Sequence, residues 1–221
     1  MKKFLNDIRS AENPISGNRK IINTIAVLFL GIALGTFSKF LDFRQAELPS
    51  VLMAIDGALD VHNFLGRFAI WVLIALCISI YSNSATRASV NVFAFFVGML
   101  IGYYVWTSVF AGFYPDIPYL MRWLILAVVS PFLAFLIWYA RGRGALAIGI
   151  SSVLIAIFCC FAFNLNFADF RILYFPEFIL WLASIGILFK DVKQSAFSLL
   201  ISIPVALSLE YTGLLTIIGI G

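Results

Sequence analysis

Seven apolar runs divide the 221-residue chain, and each meets or approaches the length at which a helix crosses a lipid bilayer. A hydrocarbon core about 30 Å thick takes roughly 20 apolar residues at a rise of about 1.5 Å each. The runs are Ile21–Phe37, Phe64–Tyr81, Ala88–Phe113, Leu120–Tyr139, Ala145–Phe163, Ile172–Phe189 and Ala196–Ile220. They are continuous, whereas the strands of a lipid barrel are short and alternate in polarity. The expected fold is all-α: a polytopic transmembrane helical bundle of about seven helices. Six is the alternative count, because Pro204 and Glu210 interrupt the last run.

Composition agrees. Hydrophobic residues make up 62% of the chain and charged residues 12%, against roughly 25% charged in a soluble domain. So few polar groups could not cover a water-soluble fold of this size. The net charge of +4 is carried by basic residues standing singly or in pairs between apolar runs. They read as topology signals, so a lipid bilayer is the expected partner and nucleic acid is not. Cys77, Cys159 and Cys160 lie inside apolar runs, as small hydrophobes and not as a disulfide framework.

The loops set orientation. If all seven runs cross, ten basic residues fall on the side of the N-terminus and five on the other. The positive-inside rule then places the N-terminus in the cytoplasm. Residues 1–20 form a cytoplasmic segment without a secretory signal, and 21–221 a single transmembrane domain. The longest connection, about 38–63, is external. Within it Ser50 is the expected N-cap of an amphipathic helix. Asp56, Asp60, Asn63 and Arg67 would form one polar stripe running toward the second span.

Packing signals are two glycine pairs, Gly31–Gly35 and Gly98–Gly102, each four apart. Such pairs let a second backbone approach closely, within the bundle or in a dimer. Pro204 removes the helical donor for the Leu200 carbonyl, so a kink or local unwinding is expected there.

Candidate binding residues all fall toward the external side. Glu210 lies inside an apolar run, where a charge is costly unless it is paired, protonated or wet. It would bind a cation or basic group, or pair with Arg67 or Arg122. Asp56 and Asp60, one turn apart, would hold a cationic ligand or form a solvated face. Tyr104, with Tyr103 and Trp106, would line a pocket or belong to an interfacial aromatic belt. Asp116, Asp169 and Arg171 sit in further external turns. His62 is the sole histidine and cannot by itself build a zinc site. No nucleophile-elbow, zinc-protease, phosphate-loop or dinucleotide motif is present. No cofactor is expected, and catalysis is the weaker reading.

The segments "GIALGTFSKFLD" at Gly31–Asp42, "ASVNVFAFFVGMLIGYYVWT" at Ala88–Thr107 and "SPFLAFLIWYAR" at Ser130–Arg141 resemble a family of small, uncharacterised bacterial multispanning membrane proteins. That resemblance implies the bacterial cytoplasmic membrane and transfers no catalytic residue. A looser similarity is to substrate-binding subunits of energy-coupling-factor transporters, compact six-helix proteins that take vitamins or metals from the outer face beneath a loop lid. The long 38–63 connection fits that likeness; the seventh run and the lack of a coupling motif depart from it. The functional expectation is a multi-pass protein binding or transporting a small solute from the external face, with Asp56, Asp60, Arg67, Tyr104, Arg122 and Glu210 as ligand-binding residues. The alternatives are an intramembrane enzyme acting on lipid or peptide, and a non-catalytic scaffold for other membrane subunits.

Overall fold

A computed structural model describes residues 2–11, 15–44, 49–112 and 117–217. The chain is almost wholly helical. A short α1 (Lys2–Ile8) precedes the long α2 (Gly17–Arg44). Next come α3 (Ser50–Leu59), α4 (Val61–Gly66) and α5 (Phe68–Ile80). Helix α6 (Ala85–Trp106) continues as a π-turn, Thr107–Ala111, and α7 (Ile117–Ile137) ends in a 3-10 turn, Trp138–Arg141. Helix α8 (Ala145–Ala162) leads into an antiparallel hairpin, β1 (Phe163–Asn164) with β2 (Arg171–Ile172). Then follow α9 (Phe175–Leu188), α10 (Val192–Thr212) and α11 (Leu214–Ile217).

Five helical stretches are long and apolar enough to cross a bilayer: Gly17–Asp42, Ala85–Phe110, Leu120–Arg141, Ala145–Ala162 and Val192–Thr212. The other two expected spans are corrected to half-length helices. With 13 and 14 residues, α5 and α9 are about 20 Å long, short of a layer about 30 Å thick. The seven apolar segments still alternate in direction. Their turns meet at one end, where Arg9 donates to the Ile80 and Trp138 carbonyls and Gln194 donates to the Gly142 carbonyl. Large apolar side chains point outward along the long helices; Phe132 is 71% exposed, and Phe29, Ile125 and Leu200 are exposed with it. Water would penalise such a surface, and lipid solvates it.

The tightest contact is between α2 and α6, which run parallel. A Cβ on Gly31 would strike the Phe95 carbonyl oxygen, and one on Gly35 that of Met99. Reciprocally, Gly98 lies against the Leu28 carbonyl and Gly102 against that of Ile32. The two glycine pairs therefore face each other inside one bundle, and neither is left for a partner protein. Polar groups extend the seam toward the α1 end. Thr24 donates to the Asn91 side chain at 2.9 Å, and Arg87 donates to the Lys20 carbonyl at 2.7 Å.

Both internal prolines are carried without unwinding. Pro131 deprives the Ala127 carbonyl of its helical donor, and the Ser130 hydroxyl supplies a substitute at 2.9 Å. Such local replacement keeps proline tolerable where no water reaches. The unwinding expected at Pro204 does not occur; α10 is helical from Val192 to Thr212. The last run stops early for another reason: Gly213 adopts φ +60 and caps α10, as glycine does at helix C-termini.

Candidate functional site

The polar stripe expected on one helix is not one helix. Asp60 takes a left-handed conformation, φ 52 and ψ 44, and separates α3 from α4. Aspartate tolerates this region better than most side chains. Ser50 is the first helical residue of α3, with Pro49 at the cap and no side-chain cap bond. A second break follows at Arg67, whose extended backbone separates α4 from α5.

These breaks bring Arg67 to a partner 110 residues away. Its Nε donates to Oε1 of Glu177, and Nη2 donates to Oε2 at 3.3 Å. Nη1 reaches Asp60 Oδ2 at 3.4 Å, and Asn63 Nδ2 donates to Asp60 Oδ1 at 2.7 Å. The guanidinium also stacks 4.2 Å over the Tyr174 ring. Glu177 is only 1% exposed. A carboxylate so buried requires a charged, hydrogen-bonded partner, and the forked guanidinium supplies one. The pair sits where both half-length helices begin. Ser38, six residues before the end of α2, donates to the Leu65 carbonyl at 3.4 Å. The break at Arg67 thus lies about 9 Å short of the end of α2.

Glu177 was not among the sequence candidates. Its signal is Pro176 in the first turn of α9 followed by an acid, the marks of a helix start inside an apolar run. Lys39 was also unmarked; it is buried, is paired with Asp42, and lies 5.1 Å from the Tyr103 ring centroid.

The remaining candidates lie on several elements. Asp56 is buried on α3. Tyr104 borders a cavity of about 20 Å³ with Gly35, Ser38, Leu65 and Trp71, room for about one water molecule. Arg122 is exposed near the start of α7. Asp169, in the hairpin turn, pairs with Arg171 at the start of β2 at 3.5 Å. The His62 side chain and Asp116 lie outside the described residues. Among the described residues, no group of three His, Cys, Asp or Glu side chains is placed to hold a metal ion. Of the six candidates, Asp60 meets Arg67 at 3.4 Å.

Glu210 occupies a different corner, in the last turn of α10, with its side chain exposed. It makes no side-chain hydrogen bond or ion pair with any described residue, so the expected pairing with Arg67 or Arg122 is absent; Arg67 is taken by Glu177. Glu210 borders a cavity with Leu165, Asn166, Phe167, Leu207 and Tyr211. Three of those residues, Leu165, Phe167 and Leu207, also line a second cavity of about 680 Å³. That cavity is an apolar groove lined by Cys159 of α8, Trp181 of α9, Ile203 of α10 and Phe163 and Phe170 of the hairpin, and it is open at one side, where Phe170 and Ile203 are exposed. The Trp181 indole N–H is buried without a hydrogen-bond acceptor among the described residues.

Fold and site together define a multi-pass integral membrane protein with a polar seam at the start of its half-length helices and an apolar groove beneath its hairpin. Comparison with family models, curated proteins and solved structures finds no match to this chain.

Proposed function

We propose that the protein binds an amphipathic, cationic small molecule at the hairpin end of the bundle. Its apolar body would occupy the groove between α9 and α10, and its cationic group would lie against Glu210. One observation carries this reading: the apolar groove and the Glu210 recess share Leu165, Phe167 and Leu207, so one ligand can fill both. Binding sites of this kind are mostly apolar, with a few polar groups fixing orientation. A carboxylate with no cation partner among the described residues, at the rim of a low-dielectric space, is suited to recognise positive charge. The looser likeness to energy-coupling-factor subunits supports binding over catalysis.

The test uses a lipophilic cation, tetraphenylphosphonium, and the purified protein in neutral detergent. Equilibrium binding should be saturable, and Glu210→Gln should weaken it by about tenfold, or roughly 1.4 kcal/mol. Ile203→Trp, at an exposed position that lines the cavity, should abolish it. Equal affinity for wild type and both variants would refute the assignment.

A further inference from the structure

At the opposite end of the bundle, three chain segments far apart in sequence enclose a polar cavity of about 570 Å³. Arg9 and Ser10 come from the segment after α1, Arg141 and Arg143 from the α7–α8 turn, and Lys190 from the α9–α10 turn. Asp7 is the carboxylate that lines it. Among the described residues, four cationic side chains and one acidic one line it.

The frame is held by main-chain contacts. The Arg143 amide donates to the Ile8 carbonyl at 2.9 Å, and Ile8 itself is buried. The Arg9 guanidinium binds the Trp138 and Ile80 carbonyls at 2.7 and 3.0 Å and lies 4.2 Å over the Trp138 ring. Asp191, next to Lys190, is used as the cap of α10, accepting from the Gln194 amide at 2.9 Å. Arg141, Arg143 and Lys190 have no carboxylate within ion-pair distance among the described residues.

We infer that this cavity is a binding site for a phosphate-bearing anion, held by Arg141, Arg143 and Lys190. Guanidinium forks match phosphate oxygens two at a time, and lysine adds a point charge. Basic residues between spans serve topology wherever they stand on the correct side. Topology does not require them to share a cavity, nor α1 to fold back and close it. The phosphate has two chemical sources, the headgroup of an anionic phospholipid or a soluble phosphate compound. Basic pockets at the inner ends of transmembrane helices take lipid headgroups, and the α1 end carries the sequence's basic excess.

Thermal unfolding of the full chain in neutral detergent tests the site. Dioleoyl phosphatidylglycerol is compared with dioleoyl phosphatidylcholine, and inorganic phosphate with chloride at equal ionic strength. A ligand selective for the folded state raises Tm saturably; a shift of about 5 °C is expected with an occupied site. A shift with phosphatidylglycerol alone assigns the site to a headgroup, and a shift with inorganic phosphate assigns it to a soluble compound. Either shift should vanish in Arg143→Gln/Lys190→Gln. It should survive in Arg19→Gln/Lys193→Gln, which removes two cations from the same end outside the cavity. Should the first double variant not purify, Lys190→Gln alone decides in the same assay, since that side chain is exposed. Absence of both shifts, or equal loss in the two double variants, overturns the proposal.

Discussion

Two sectors of the bundle follow the same path and pack differently. In the first, long α2 leads to an outer excursion, half-length α5 and then long α6; in the second, long α8 leads to the hairpin, half-length α9 and then long α10. Helices α2 and α6 meet backbone to backbone through four glycines. Helices α8 and α10 meet through Cys160 and Ala206, where Sγ lies 3.5 Å from the Ala206 carbonyl. Beyond that contact, the Leu199, Leu200, Ile203 and Leu207 side chains on α10 and the hairpin phenylalanines line the large, partly open apolar groove. Lipid removes the hydrophobic drive between helices, so association depends on close packing. Where small residues permit it the seam is tight; where bulky ones stand, an apolar groove remains. The Glu177–Arg67 pair joins the two sectors.

The joint is the most sensitive place to break. Arg67→Ala strands the Glu177 carboxylate in the interior and should cost about 3–5 kcal/mol, read from unfolding in mixed detergent. Replacing both charges, as in Arg67→Met/Glu177→Leu, should recover all but about 1–2 kcal/mol of that loss. A double variant as unstable as the single would show that the pair does more than neutralise itself.

The same small substitution should then separate the two sectors. Gly98→Ala puts a methyl against the Leu28 carbonyl, with the Ile32 nitrogen 3.2 Å away; helix separation should cost about 1–3 kcal/mol. Gly149→Ala on α8 meets nothing within 4 Å and should stabilise by about 0.5–1 kcal/mol through helix propensity alone. Effects of equal sign at the two glycines would erase the contrast between the sectors.

Particular residues show how much was legible beforehand. The apolar runs announced every long helix, because a bilayer demands uninterrupted apolar length whatever the partners are. The glycine pairs announced a close contact, and the structure shows that each pair is the other's partner. Local pattern misled at Asp60, where helical spacing suggested a continuous stripe; a left-handed residue breaks it, and the broken path aims Arg67 across the bundle. The sequence also grouped Tyr104, Arg122 and Glu210, since all fall toward the same end. Tyr104 borders a cavity of about one water, Arg122 is exposed on α7, and Glu210 stands beside the apolar groove.

The sequence by itself determined that this chain is a helical membrane protein and roughly where its segments begin and end, since hydrophobic length and turn chemistry are local properties. Tertiary structure alone decided that two segments are half-length helices locked by Arg67 and Glu177. It also decided that Glu210 overlooks an apolar groove and that three distant turns ring one basic cavity. Those outcomes depend on which helix lies beside which, and that follows from packing between residues far apart along the chain, on which local spacing is silent.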